Sequence, residues 1–312
     1  MKIKGSPKTL SNEPRPFMKW AGGKGSLLPE FIARLPSGIA DGTITSYIEP
    51  FIGGGAFFFN LAMKNGFDEC HLVDINEELI LVYTVIRQDV EALIEQLDSL
   101  KKEYTLLDED KRQALFYEIR SRFNKEKSSI NYRNFSDAWI ARAADLIFLN
   151  RTCFNGLFRV NSKGEFNVPF GRYKNPLISQ PDLLRLDSTL LNNTTLHTGD
   201  FTLVREYITE HSFVYFDPPY RPLNKSSFFT SYAKDGFLDE DQRRLAAFFR
   251  ECDELGACCM LSNSDPKNHD PGDDFFDLLY DGFTIERVLA SRRINSNGAG
   301  RGKIHEIIVR NY

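Results

Sequence analysis

The sequence predicts an α/β protein, a doubly wound and mostly parallel sheet into which a helical domain is inserted, and three observations predict it. Short apolar runs bounded by Gly, Asp or Pro fall into an early and a late block, with helical stretches between most of them. That alternation is the βαβ rhythm of a sheet covered on both faces, with ligands expected at the C-terminal ends of its strands. Between the blocks the apolar residues recur at helical period, and 312 residues accommodate one large domain carrying a smaller insert.

In chain order, residues 1–13 read as a loose arm with no apolar core, so no signal peptide is expected and the protein is expected in the cytoplasm. Residues 45–49 and 71–73 are the early strand candidates. An insert over 81–177 follows, with helical apolar positions at Leu93, Ile94 and Leu97, at Leu115, Phe116 and Ile119, and at Trp139, Ile140, Ala143, Ala144 and Ile147. It ends in NRTCFNGLFRVNSKGEFNVPFGRYKNP, a Gly-, Asn- and Arg-rich stretch expected as a loop or hairpin. The late strand candidates are 195–198, 213–216, 257–261, 283–289 and 304–309. Residues 14–80 and 178–312 together are expected to form the sheet domain. No repeat or low-complexity tract interrupts the chain, and no window approaches the roughly 18 apolar residues of a membrane helix.

Charge narrows the partners. A net charge of −4 argues against coating a polyanion over the whole surface. Residues 111–174, however, hold thirteen Lys and Arg against five Asp and Glu, an excess of eight that could face phosphates. Arg287, Arg292, Arg293, Arg301 and Lys303 form a second basic cluster. The five cysteines lack a C-x-x-C pair and sit mostly among apolar neighbours, so buried reduced thiols are expected. Five scattered histidines without H-x-x-x-H spacing offer no ligand set, and no metal is expected.

Three stretches carry chemistry. EPFIGGGAFFFNL follows a strand and opens a helix, so its glycines permit a tight turn and close backbone approach to a ligand. HLVDIN then places Asp74 twenty positions after Gly54, where a strand-end carboxylate accepts hydrogen bonds from a ribose diol; together they indicate an adenosine-containing cofactor. KWAGGKGSLL suggests a P-loop, but Met18 and Gly25 stand where that motif needs Gly and Ser or Thr. Lys24 is free to meet a carboxylate instead. The third stretch is FVYFDPPY. An aromatic amino nitrogen is a poor nucleophile because its lone pair is delocalised, so attack through it requires rigid acceptors for its protons. Asp217 offers a carboxylate and Pro218 a carbonyl, Pro218 and Pro219 stiffen the backbone, and Tyr220 offers a ring on which a base can stack.

KWAGGK, EPFIGGGA, LVDIN and YFDPPY, in that order and with a basic insert before the last, resemble the Dam-type (D12 class, alpha group) DNA adenine methyltransferases. The resemblance runs from about Pro16 to Tyr312, and the insert's final stretch resembles the recognition segment of members that modify GATC. It implies a Rossmann-like methyltransferase sheet and an inserted target-recognition domain. It implies S-adenosylmethionine as cofactor, surrounded by Trp20, Lys24, Glu49, Phe51, Gly53, Gly55, Asp74, Asp200, Phe201 and Asp217. The target adenine would be held by Asp217, Pro218, Pro219 and Tyr220. Lys19, Phe154, Asn155, Leu157, Arg159 and Pro169 would meet target bases, with Arg159 the specificity residue, because two hydrogen bonds from arginine to guanine discriminate by about 1–3 kcal/mol. Asn161, Asn167 and Arg172 would contact phosphates. Arg301 and Lys303 would hold the DNA backbone.

The resemblance thus implies methyl transfer to the adenine N6 of GATC in duplex DNA after base flipping. Cytosine C5 chemistry is disfavoured because no cysteine follows a proline. Cytosine-N4 methylation and a non-catalytic DNA-binding regulator are the alternatives. The partner implied is double-stranded DNA, not a membrane, with a monomer expected and a cognate restriction endonuclease, encoded nearby without a stable complex, if the enzyme is restriction-linked. The arm before Pro14, the variable Thr152-Cys153-Phe154 triplet and the polar stretch SNSDPKNHDPGDD depart from the family pattern, and that last stretch has no role on motif grounds.

Overall fold

The computed structural model describes residues 14–221, 237–291 and 303–312. The expected arm 1–13, the basic residues Arg292, Arg293 and Arg301, and the side chain of Lys303 lie outside the described residues. Seven strands form one sheet: β1 (Ser46–Glu49), β2 (Glu69–Asp74), β3 (Thr194–Thr198), β4 (Ser212–Phe216), β5 (Cys258–Ser264), β6 (Thr284–Ser291) and β7 (Lys303–Arg310). Their order is β3-β2-β1-β4-β5-β7-β6, with the first five parallel and β7 antiparallel to both β5 and β6. This is the mostly parallel, Rossmann-like sheet expected. Strand order reverses between β1 and β4, and a ligand crevice opens at such a switch point.

Alternation along the strands divides the core into two layers. Tyr47, Leu72, Phe213, Tyr215 and Met260 face one layer; Ile48, Val73, Val214, Phe216 and Leu261 face the other. The first layer packs under α1 (Leu28–Ile32), α2 (Ser37–Asp41), α3 (Ala56–Lys64), α4 (Glu77–Gln88), three insert helices α5 (Val90–Leu106), α6 (Glu109–Glu126) and α7 (Asp137–Thr152), and α8 (Pro181–Leu190). The second is closed by α9 (Asp239–Glu254) and α10 (Phe275–Leu279). Asn76 caps α4 by accepting from the Glu78 and Leu79 amides, and Asp89 and Asp108 cap α5 and α6 in the same way.

Not all of the insert's basic excess faces solvent. Arg142 is buried and donates to both oxygens of Glu78 and to the Phe123 carbonyl, 2.9 Å, while Tyr132 donates to Glu78 at 2.6 Å. Arg122 forms a two-pronged pair with Asp145, at 3.0 and 2.5 Å, and the half-buried Arg151 donates to the Phe17 carbonyl. Arg122 and Arg142 tie helices together and Arg151 ties α7 to the Phe17 segment, which corrects the reading that the whole run could face phosphates. Arg287, likewise, is committed to Asp265 and Asp277. All five cysteines are free, and four are buried, with Cys258 half-buried. Among the described residues no group of three or more His, Cys, Asp and Glu is placed to hold a metal, and no helix is long and apolar enough to cross a membrane.

Candidate functional site

Strand ends bring the motif residues together. Glu49 closes β1, Asp74 closes β2, Asp200 follows β3 by two residues and Asp217 directly follows β4, so four carboxylates line one edge of the sheet. The parallel register sets this: Glu49 pairs with Leu72 and Asp74 with Thr198. The turn after β1 needs its glycines. Gly53 has φ +47°, a Cβ there would lie 3.0 Å from the Trp20 ring, and its amide donates to Asp74 Oδ2 at 3.1 Å. Gly55 has φ +70°, and a Cβ would meet the Tyr83 hydroxyl at 2.5 Å; that hydroxyl donates to the Gly53 carbonyl at 3.1 Å.

Asp74 is thereby oriented from two sides, with the Asn76 amide donating to Oδ1 at 2.9 Å. Burial nevertheless pushes its carboxyl up to about 6, because the amide donors offset only part of the cost of charge. Glu49 is buried and accepts from the Tyr47 hydroxyl at 2.7 Å; burial, with the Asp217 charge nearby, raises it well above the usual carboxylate range. Asp200 accepts from the Thr202 amide and hydroxyl and pairs with Arg244 at 3.2 Å. Phe51 and Phe201 pack with ring centroids 5.5 Å apart beside it. Trp20 stacks on Phe158 of the insert, centroids 5.2 Å apart. This donor set fits a nucleoside cofactor: a carboxylate fixed on a glycine turn for a diol, and aromatic faces beside it for a base.

The Asp217–Tyr220 loop lies across the switch point from that turn. Lys24, buried to 4% exposure, donates to Asp217 Oδ1 at 2.5 Å and to the Tyr220 hydroxyl at 3.0 Å, and approaches Glu306 at 4.0 Å. Ser262 of β5 also donates to Asp217 Oδ1, at 3.3 Å, and exchanges a hydrogen bond with Tyr215 at 2.9 Å. Burial opposes the Lys24 charge, but Asp217, Tyr220 and Glu306 outweigh it and its pKa lies above the ordinary lysine value. Burial raises Asp217 as well, and Lys24 and Ser262 offset this only in part. Pro218 is buried, Pro219 is exposed, and Tyr220 is 37% exposed with the Lys24 ammonium 4.6 Å from its ring centre.

The other predicted residues gather on the insert. Asn150 at the end of α7 accepts from the Lys19 amide at 2.9 Å and donates to the carbonyls of Lys19 and Gly156, joining the Lys19–Trp20 segment to the start of the hairpin. Isolated bridges Cys153–Phe170 and Val160–Phe166 close that hairpin. Phe154 stands 53% exposed, its amide bonded to the Pro169 carbonyl at 2.8 Å, and Asn155 adopts φ +58°. Arg159 is exposed and donates to Asn167 Oδ1 across the hairpin at 2.8 Å; Leu157 is half-buried. Asn161 organises the tip, accepting from the Lys163 and Glu165 amides and donating to the Glu165 carboxylate. Arg172 is exposed, 3.9 Å from Glu109. Motif reading missed Ser262, Tyr215, Glu306, Asn150 and Tyr83, because each reaches the site through tertiary contact; the polar run Ser262-Asn263-Ser264 after an apolar strand was the one available signal.

The family model described as D12 class N6 adenine-specific DNA methyltransferase matches residues 20–294. The chain is 50% identical over 301 residues to the Type II methyltransferase M.MjaIII of Methanocaldococcus jannaschii, covering 96% of this chain and 100% of that one. It is 39% identical over 300 residues to the Type II methyltransferase M1.LlaDCHI of Lactococcus lactis, covering 96% and 95%. It is also 31% identical over 295 residues to the DNA adenine methylase of Escherichia coli, covering 95% and 94%.

Proposed function

The chain belongs to the D12 class N6 adenine-specific DNA methyltransferase family, and on that premise we propose that it methylates the adenine of GATC in duplex DNA, after flipping that base into the crevice between β1 and β4. It is an S-adenosylmethionine-dependent DNA adenine methyltransferase, and membership of this family decides for adenine N6 over cytosine N4 and over a non-catalytic regulator. The cofactor supplies an electrophilic methyl group on a sulfonium. Asp74 is assigned to the ribose diol, Gly53 and Gly55 to the close turn beneath it, and Trp20, Glu49, Phe51, Asp200 and Phe201 to the surrounding wall.

The observation that carries the chemistry is the orientation of Asp217. Among the described residues both of its side-chain donors, Lys24 and Ser262, sit on Oδ1, which leaves Oδ2 to be assigned as the acceptor for an incoming amine. With one N–H donated to Asp217 and the other to the Pro218 carbonyl, the nitrogen lone pair is drawn out of conjugation and aimed at the methyl group. No covalent enzyme intermediate is involved. Asp217 then takes the proton that the methylated nitrogen sheds, and the stiff Pro218–Pro219 backbone holds the acceptors still. Lys24 acts here by holding Asp217 and Tyr220, beside the cofactor rather than only on it.

Residues 81–177 are assigned as the target-recognition domain. Exposed Arg159, steadied by Asn167, is placed to read guanine, and exposed Phe154 to wedge at the flipped base. Asn161 serves the hairpin tip first and a phosphate only through what its turn leaves free. The enzyme is read as a cytoplasmic monomer, either solitary or paired with a separately encoded restriction endonuclease. The test is transfer of labelled methyl to two unmethylated duplexes, one with GATC and one with that adenine and its partner exchanged. N6-methyladenine in the GATC duplex alone supports the reading; label in both discards the specificity, and label in neither discards this target.

A further inference from the structure

We propose that Gln242, held by Asn263, is a positioning residue that sets the first backbone torsion of the Asp217–Tyr220 loop that no proline restrains, and so fixes Tyr220 against the target base. The inference rests on the roles assigned above to that loop. Asp217 and Pro218 each precede a proline and are confined to extended backbone, while the rings of Pro218 and Pro219 fix φ at both positions. The first backbone torsion between the Asp217 carboxylate and the Tyr220 ring that no proline restrains is ψ of Pro219. Gln242 donates from Nε2 to the Pro219 carbonyl at 3.2 Å, the group whose direction that torsion decides.

The side chain that holds this carbonyl is itself held, and with a polarity. The Ser264 amide donates to Asn263 Oδ1 at 2.8 Å, so the Asn263 amide nitrogen is left to donate to Gln242 Oε1, at 3.3 Å. With its oxygen thus occupied, Gln242 can present only its nitrogen to Pro219. Both amides are 0% exposed. Burying two amides is costly unless their hydrogen bonds are made, and here they are made to each other and to the loop.

Neighbouring residues of β5 therefore grip the loop from both faces of the sheet, Ser262 at Asp217 and Asn263, through Gln242, at Pro219. Arg221, the residue after Tyr220, is clamped by Asp239 at the start of α9, at 2.6 and 3.0 Å, and by Asp273 at 2.7 Å. The polar stretch from Ser262 to Asp274, without a role on motif grounds, is by this account the mount of the loop.

The test compares the full-length enzyme with Gln242→Leu and with Asn263→Asp, whose carboxylate would draw the Gln242 nitrogen to itself and turn its oxygen toward the Pro219 carbonyl. Three quantities are read: single-turnover methyl transfer to the GATC duplex, dissociation constants for that duplex and for S-adenosylmethionine, and emission of 2-aminopurine replacing the target adenine. Expected are transfer about 10- to 100-fold slower, both affinities within about twofold of wild type, and altered 2-aminopurine emission in the complex. Wild-type transfer rates in both variants overturn the proposal. So does a loss of both affinities in step with the rate, or failure of both variants to fold, since Gln242 then supports the fold and not the loop. A wild-type enzyme that labels no GATC duplex refutes the target reading instead.

Discussion

With Asp74 assigned to the ribose diol, its titration should set a pH limit on cofactor affinity. Its carboxyl is pushed up to about 6 by burial, against the pull of the Asn76 and Gly53 amides. A carboxylate accepts from both ribose hydroxyls only when ionised, and with that pKa the ionised fraction falls from about nine-tenths at pH 7 to about one-tenth at pH 5. The dissociation constant for S-adenosylmethionine should therefore rise about tenfold over that interval. The sign for stability is opposite to that of an ordinary paired acid. The folded pKa lies above the unfolded value near 3.8, so in the cofactor-free protein this group favours the fold at the acid end of the window and loses that contribution as pH rises through about 6. Asp74→Asn removes both slopes. Asparagine can accept from only one of the Gly53 and Asn76 amides, and losing a charged acceptor costs about 1.5–3 kcal/mol, a weakening of roughly 10- to 100-fold at pH 7. Isothermal titration of cofactor from pH 5 to pH 8 at fixed ionic strength measures it. Wild-type affinity constant within twofold between pH 5 and 7, or a pH slope retained in the Asn variant, refutes the reasoning.

Replacing Lys24 by Met removes the charge that offsets burial of Asp217, so that carboxyl moves further up and the acid limb of the transfer rate shifts to higher pH; an unmoved limb in a pH profile contradicts the pairing. Arg142→Met leaves Glu78 buried without its arginine and should cost about 3–5 kcal/mol in urea unfolding, far more than replacing both partners by apolar residues together; equal costs would show that the pair is not the reason. Gly55→Ala places a Cβ against the Tyr83 hydroxyl at positive φ, and should weaken cofactor binding more than DNA binding when both affinities are titrated; the reverse order would detach this turn from the cofactor. Arg159→Ala should relax preference at one base pair by about 1–3 kcal/mol, read by competition among single-substituted duplexes, and unchanged preference would move recognition elsewhere.

Much of this architecture is legible in the sequence because burial in a parallel sheet writes short apolar runs. Each of the seven strand windows overlaps an observed strand. The largest error is at β5, expected to end at residue 261 but running to Ser264. Ser262, Asn263 and Ser264 are buried polar residues, and hydrophobic patterning cannot distinguish a polar side chain turned inward to serve a neighbour from one turned out to water. The same blindness hides Gln242 on a helix otherwise charged along its first turn, and the Lys24–Asp217 contact across 193 residues. Strand order is equally silent in the sequence: β7 enters between β5 and β6, antiparallel to both, by pairing that no local propensity records.

Charge shows how the two halves of the molecule depend on each other. Glu49, Asp74, Asp200 and Asp217 line the edge that must receive a polyanion, on a chain whose net charge is −4. Lys24 and Arg244 are committed there to Asp217 and Asp200, so the approach of DNA falls to cations held elsewhere. The insert supplies them at one end: Arg159, Lys163, Arg172 and Lys174 are exposed on or beside the hairpin, while Arg122 is spent on an internal tie and Arg142 and Arg151 on ties to Glu78 and Phe17 outside it. Asn150 couples that end to the crevice, because the same side chain that holds Lys19 also holds Gly156 at the start of the hairpin. Among the described residues the segment from Lys19 to Lys24 thus links the two, contacting Asn150 beside the hairpin at one end and Asp217 at the other.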